Sequence, residues 1–177
     1  AESQLMAALE SRRSSEPVEM KDVLKVLFDS IEAGTVLGDG LSTGYFELDN
    51  YVKLGKGNLV ILAARPGIGK SAAVLGTVLH NAIREKKRVA LFSLEMKSME
   101  LSARMLSQES GVPFEIITKG KMMTSDQKDR ILSATTRMRE TSVKIDHELE
   151  HGVQSIRSRC RRMAAQGGLD LVVIDYL

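Results

Sequence analysis

The chain has no tryptophan, one cysteine and three histidines in 177 residues, and each scarcity closes a class of explanation. A single thiol, Cys160, cannot form an intramolecular bridge, so a disulfide framework is excluded and a reducing compartment is expected. Three scattered histidines and one thiol do not supply the ligand spacing of a zinc site. No run approaches the ~20 consecutive apolar residues of a membrane span, and the first residues lack a basic stretch followed by an apolar one, so a soluble, cytoplasmic, non-secreted protein is expected. The formal charge of +2 is too small to argue by itself for a nucleic-acid partner, because phosphate binding needs local clusters. What is present is a chain that is 43% hydrophobic, long enough for about one domain with a substantial core.

Residues 1–18 are rich in serine, arginine and glutamate and read as a linker or the end of a preceding region. Over residues 19–34, Met20, Val23, Leu24, Leu27, Phe28 and Ile31 recur at helical spacing and form one apolar stripe ending near Gly34. Such a stripe must be covered, either by its own domain or by a neighbouring subunit. Residues 35–177 alternate between strand and helix patterns. Strands are expected from Leu59, over 88–94, 143–145 and 169–174. Helices are expected over 71–85, 96–110, from a Thr124/Gln127 capping box to Arg139, and over 153–166. Alternation of this kind predicts an α/β fold, a mainly parallel sheet flanked by helices and joined by right-handed crossovers. On the 153–166 helix, Arg157, Arg159, Arg161 and Arg162 are expected on a solvated outer face.

The run LVILAARPGIGKS (Leu59–Ser71) places a glycine-bearing turn between an apolar strand and a helix start. In such a loop, backbone N–H groups converge on nucleotide phosphates, the lysine reaches the β- and γ-phosphates, and the following hydroxyl holds Mg²⁺. The candidate nucleotide-binding residues are therefore Arg65, Pro66, Gly67, Ile68, Gly69, Lys70, Ser71 and Ala72. Ala64 occupies the place of the first template glycine, a departure that costs free energy wherever φ must be positive. A simple strand-to-helix connector is the competing reading of this turn. The far run LDLVVIDYL reads as a buried parallel strand with Asp175 at its carboxyl edge, where ligands of open α/β sheets bind; there a carboxylate can hold Mg²⁺ opposite Ser71. Alone, such an aspartate reads as a turn or cap residue. If the strand at 88–94 pairs beside the phosphate-loop strand, Glu95 reaches the same edge, as a general base for an attacking water or as a surface residue at a helix entry.

GLSTGYFELD (Gly40–Asp49), LVILAARPGIGKSA (Leu59–Ala72), LFSLEM (Leu91–Met96), IRSRCRRM (Ile156–Met163) and LVVIDYL (Leu171–Leu177) together resemble the RecA-like motor domain of the bacterial and phage replicative helicases, the DnaB family. The resemblance runs over residues 19–177, and the family also accepts alanine at the position of Ala64. It implies a P-loop NTPase core in a homo-hexameric ring that uses ATP or another NTP with Mg²⁺, moves on single-stranded DNA and unwinds duplex at the fork. Lys70 and Glu95 would then be catalytic, Ser71 and Asp175 the metal-holding pair, and the 19–34 helix a linker helix docking on the next protomer. A helicase loader and primase are the implied partners, in the bacterial cytoplasm or as a phage protein in its host. The family's DNA-binding loops, switch strand, arginine finger and amino-terminal collar are expected outside these residues, and a segment without them is expected to bind nucleotide poorly and hydrolyse it slowly. Two further readings remain open: a recombination or circadian-clock ATPase of the same fold, and a non-catalytic nucleotide-binding assembly module.

Overall fold

The computed structural model describes residues 19–32, 40–120, 123–147 and 152–175, which fall into two units, one within 1–40 and one within 41–177. The first unit contributes the helix α1 (Met20–Glu32), which carries the expected apolar stripe. The linker expected over 1–18 and the stop near Gly34 lie outside the described residues.

In the second unit, β1 (Val89–Ser93) is the middle strand of a three-stranded parallel sheet. Its neighbours are β2 (Val143–Asp146) and β3 (Leu171–Asp175), with Val89 opposite both Val143 and Leu171. Between β1 and β2 the chain builds α4 (Ser98–Ser110), the short α5 (Phe114–Lys119) and α6 (Ser125–Arg139), and between β2 and β3 it builds α7 (Val153–Gly167). The first crossover runs from β1 to β2 and the second runs back from β2 across to β3, so a common right hand puts their helices on opposite faces of the sheet.

The packing follows that rule. On one face, Val89 and Leu91 pack with Leu101 and Met105 of α4 and with Leu75, Val78, Leu79, Ala82 and Ile83. The last five lie on α3 (Lys70–Leu79) and the π turn His80–Arg84 that continues it. On the other face, Ala90 and Phe92 pack with Ile156 of α7, with Cys160, Met163 and Leu169 beside them. Every residue of β1 is buried, as a middle strand covered on both faces must be. Burial pushes the half-buried Cys160 thiol above its ordinary pKa, which leaves it an inert packing group.

Local rules set the helix ends. The Thr124/Gln127 capping box forms in full: Thr124 Oγ1 accepts from the Gln127 N–H at 3.2 Å and Gln127 Oε1 accepts from the Thr124 N–H at 3.0 Å. The turn-rich stretch after Gly40 contains one unexpected helical turn, α2 (Phe46–Asp49), and an isolated antiparallel bridge between Leu41 and Leu54. The short α5 was likewise not legible as an apolar period.

Two expectations need correction. The apolar run from Leu59 forms no strand: Leu59 to Leu62 are 86, 49, 79 and 49% exposed. An apolar run encodes a need for burial, but a strand exists only through hydrogen bonds to a neighbour, and both edges of β1 are held by β2 and β3. The strand ending at Asp175 is half-buried rather than fully buried, because Leu171 and Val173 face the α3/α4 core while Val172 and Ile174 remain exposed.

At the amino-terminal ends of the strands, Arg88 and Asp170 clamp β1 to β3. Arg88 donates to Asp170 from its backbone N–H at 2.8 Å and from Nε at 2.9 Å to Oδ2, and from Nη2 at 3.1 Å to Oδ1; it also reaches the Gly167 carbonyl. The side-chain and backbone hydrogen bonds from Arg88 hold the Asp170 carboxyl down from 3.8 to about 2. A depressed folded-state pKa stabilises the fold above the unfolded value, and that contribution disappears as pH falls from about 3.8 to about 2. Asp170→Asn should therefore be less stable than wild type at pH 7, with the difference vanishing near pH 2 in a thermal-melt series against pH.

Candidate functional site

The stretch Arg65–Ala72 forms a tight turn feeding a helix. The Ile68 N–H approaches the Arg65 carbonyl at 3.5 Å, with Pro66 and Gly67 as the central pair and Gly67 at φ +80°, the signature of a type II turn. Gly69 caps α3 at φ +100°, ψ 23°, and the Ala73 N–H bonds its carbonyl at 2.9 Å. Both glycines occupy left-handed backbone that other residues adopt at a cost of ~1–2 kcal/mol. Among the described residues, Lys86 alone of the non-glycines has positive φ, so Ala64 carries no such strain. Beyond Gly69, Lys70, Ser71 and Ala72 form the first turn of α3, the positive end of the helix dipole.

Where this turn lies is decided by α3. The ten residues of α3 and five of the π turn run back along β1 and feed its start through residues 85–88. At ~1.5 Å per helical residue they outreach a five-residue strand at ~3.3 Å per residue, so Lys70 and Ser71 arrive at the carboxyl ends of the strands. α3 also touches β3. Asp175 ends β3 at that edge, 5% exposed and in register with Ser93, and its carbonyl accepts the Leu94 N–H at 2.8 Å. Glu95 follows β1 by two residues, exposed on a turn in which Ser93 Oγ accepts the Met96 N–H at 3.0 Å. Lys70, Ser71, Glu95 and Asp175 thus share one edge of the sheet. Glu95 reaches it because β1 pairs with β3, not with the phosphate-loop run as expected.

The sequence reading assigned no role to the polar clasp formed by Ser42–Asp49. Asp49 accepts from the Ser42 hydroxyl, from the Thr43 N–H at 2.6 Å and from Thr43 Oγ1 at 2.7 Å. Burial by itself would raise its pKa, but these hydrogen bonds, with the charge of Lys53, prevail and hold the carboxyl below its ordinary value. The available signal was hydroxyls followed at short range by a carboxylate, a pattern of side-chain-bonded turns.

Elsewhere, Arg159 pairs with Asp146 rather than facing solvent, whereas Arg157, Arg161 and Arg162 are exposed as expected. Arg104 bonds Glu100 at 2.8 Å and lies 4.9 Å over the Phe114 ring, tying α4 to α5. Among the described residues, no group of three or more His, Cys, Asp and Glu could hold a metal alone, and no helix is long and apolar enough to cross a membrane.

The family model of the DnaB-like helicase C-terminal domain matches residues 40–177. The chain belongs to that family. This DnaB-like chain is 32% identical over its whole length to the replicative DNA helicase DnaB of Geobacillus stearothermophilus and 33% to the replicative DNA helicase DnaC of Bacillus subtilis, covering 40% of each. It therefore spans about two fifths of the length of these curated relatives. Among solved structures it is similar in fold to the ATPase domain of G40P, with a TM-score of 0.76 at 24% identity over 92% of this chain and 58% of that one. A DnaB-like replicative helicase, described with its interactions with primase, matches with a TM-score of 0.77 at 24% identity, over 97% of this chain and 42% of that one. These likenesses place the DnaB-like chain in the RecA-like ATPase fold, a parallel sheet between helices.

Removing the Asp49 carboxylate would leave the buried Thr43 N–H and hydroxyl without their acceptor. Asp49→Ala is expected to cost ~1–3 kcal/mol, read as a lowered urea midpoint.

Proposed function

We propose that this chain is the nucleotide-hydrolysing motor part of an ATP-dependent replicative DNA helicase. What supports the reading is the topology of a DnaB-like domain, which carries the glycine turn with Lys70 and Ser71 toward the edge of the sheet where the chain leaves β1 at Glu95 and ends β3 at Asp175. The residues fit the ligands. A Cβ built on Gly67 or Gly69 meets nothing within 4 Å, so the turn is open beside both glycines. A hydroxyl and one carboxylate, without a dedicated acidic cage, suit Mg²⁺, which keeps water and phosphate oxygens in its shell.

In this reading the N–H groups of the loop Arg65–Ala72 bind phosphate oxygens, aided by the positive end of α3. The Lys70 ammonium neutralises charge on the β- and γ-phosphates. Ser71 and Asp175 would hold Mg²⁺, which would supply positive charge against that developing on the terminal phosphoryl group. Glu95 accepts the proton of the attacking water, a general-base role worth ~10²–10⁴ in rate. The exposed position of Glu95 lets a water stand between it and the phosphate.

The whole machine is part of the proposal: a homo-hexameric ring on single-stranded DNA in the bacterial cytoplasm or a phage's host, working with a loader and primase. The apolar stripe of α1, with residues 19–34 as a linker helix, docks on the next protomer, and 35–177 is the amino-terminal part of the ATPase domain. The relatives named as replicative helicases support this reading.

In the full-length protein, Lys70→Ala should abolish nucleotide binding and DNA-stimulated ATP hydrolysis. Glu95→Gln should retain binding while hydrolysis falls about 100-fold or more. Wild-type nucleotide affinity in Lys70→Ala would overturn the site, and failure of the intact protein to displace a strand from a forked duplex would overturn the helicase reading.

A further inference from the structure

The first turn of α3, which carries Lys70 and Ser71, is gripped from outside the helix at two adjacent carbonyls. Gln108 Nε2, from α4, donates to the Ala72 carbonyl at 2.8 Å, and the Tyr45 hydroxyl, from the clasp, donates to the Ala73 carbonyl at 3.0 Å. Carbonyls at these positions already accept N–H groups one turn further along the helix, so neither side chain is needed to satisfy them. What the two bonds add is a lateral restraint on the turn.

The Tyr45 bond is the last of three along one stripe. Asn81 Nδ2 donates to the Ser42 carbonyl at 2.7 Å, Thr77 Oγ1 donates to the Thr43 carbonyl at 2.6 Å, and Tyr45 reaches Ala73. Ala73, Thr77 and Asn81 are spaced i, i+4, i+8 and so share a face, down which the clasp descends turn by turn toward the phosphate loop. Asp49 keeps the clasp rigid through its bonds to Ser42 and Thr43. Asn81 is fully buried, and its Oδ1 has no hydrogen-bond partner among the described residues. An orphaned buried acceptor costs stability, so this anchor is kept at the expense of an unmade bond. Close approach also depends on Gly76, where a Cβ would overlap the Tyr45 hydroxyl and lie 3.9 Å from Gln108 Oε1.

We propose that Tyr45 and Gln108 are positioning residues that hold the Lys70–Ser71 turn in register with Glu95. The Gln108 bond matters because α4 starts at Ser98, directly after the turn bearing Glu95. It ties the phosphate turn to the element that places the base, and Tyr45 prevents α3 from rotating about that tie. The proposal rests on the phosphate-site reading above. Catalytic geometry is sensitive to small displacements, with ~1 Å worth about 100-fold in rate.

The test uses the full-length protein with Tyr45→Phe, Gln108→Met, the double variant, Gly76→Ala and Lys70→Ala. Steady-state ATPase kinetics, affinity for a fluorescent ATP analogue and the melting temperature are the readouts. The double variant should lose roughly tenfold or more in kcat with a nearly unchanged melting temperature, since both side chains are exposed. Gly76→Ala raises helix propensity yet should lower kcat as Tyr45→Phe does, a combination that a merely structural role would not produce. Wild-type kcat in the double variant beside an inactive Lys70→Ala overturns the positioning proposal alone. A lowered melting temperature with unchanged kcat does the same. Unchanged nucleotide affinity in Lys70→Ala overturns the phosphate-site reading and this proposal with it.

Discussion

The packing of α3 and its π turn against one face of β1 governs the rest of this chain. Leu75, Val78, Leu79, Ala82 and Ile83 meet Val89 and Leu91 there. Burying such side chains contributes on the order of 1.5–3 kcal/mol each relative to exposure. Because this helix returns along the strand that follows it, its amino terminus must project past the carboxyl end of β1. That edge is also where Asp175 ends its strand and Glu95 leaves its own. A hydrophobic contact thereby sets where these charged groups lie.

The two ends of the sheet use polarity differently. At the amino-terminal edge, Arg88 and Asp170 satisfy one another in a closed clamp whose effect is to hold β1 and β3 in register. At the carboxyl-terminal edge, the turn is open beside Gly67 and Gly69 and leads into the positive end of α3. Charges that satisfy each other build structure; the positive end of a helix is suited to an anion. The polar clasp stands between these cases, since Asp49 is saturated by its own loop while Thr77, Asn81 and Tyr45 join that loop to α3.

Much of this was legible in the chain. The Thr124/Gln127 box, the long helices α4, α6 and α7 and the strands 89–93, 143–146 and 171–175 all lie within a few residues of their expected places, because capping chemistry and apolar period act locally. The candidate residues Lys70 and Ser71 followed from the phosphate-loop template, and Glu95 and Asp175 from their places at the ends of strand-like runs. The short helices α2 and α5 escaped because elements of four and six residues are too short to show a helical period. The run at Leu59 misled for the opposite reason: its composition is strand-like, yet it bonds to no strand among the described residues.

Local chemistry in the sequence thus determined the α/β class, the glycine turn and the residue types at the candidate site. Only the tertiary structure decided which strands are neighbours, that Glu95 reaches the site edge by way of β3, that Ala64 carries no positive-φ strain, and that Tyr45 and Gln108 converge on adjacent carbonyls. Each of those depends on partners far apart along the chain. Period and propensity report the preferences of one segment, whereas a hydrogen bond or strand pairing is a joint property of two, settled only when the whole core packs.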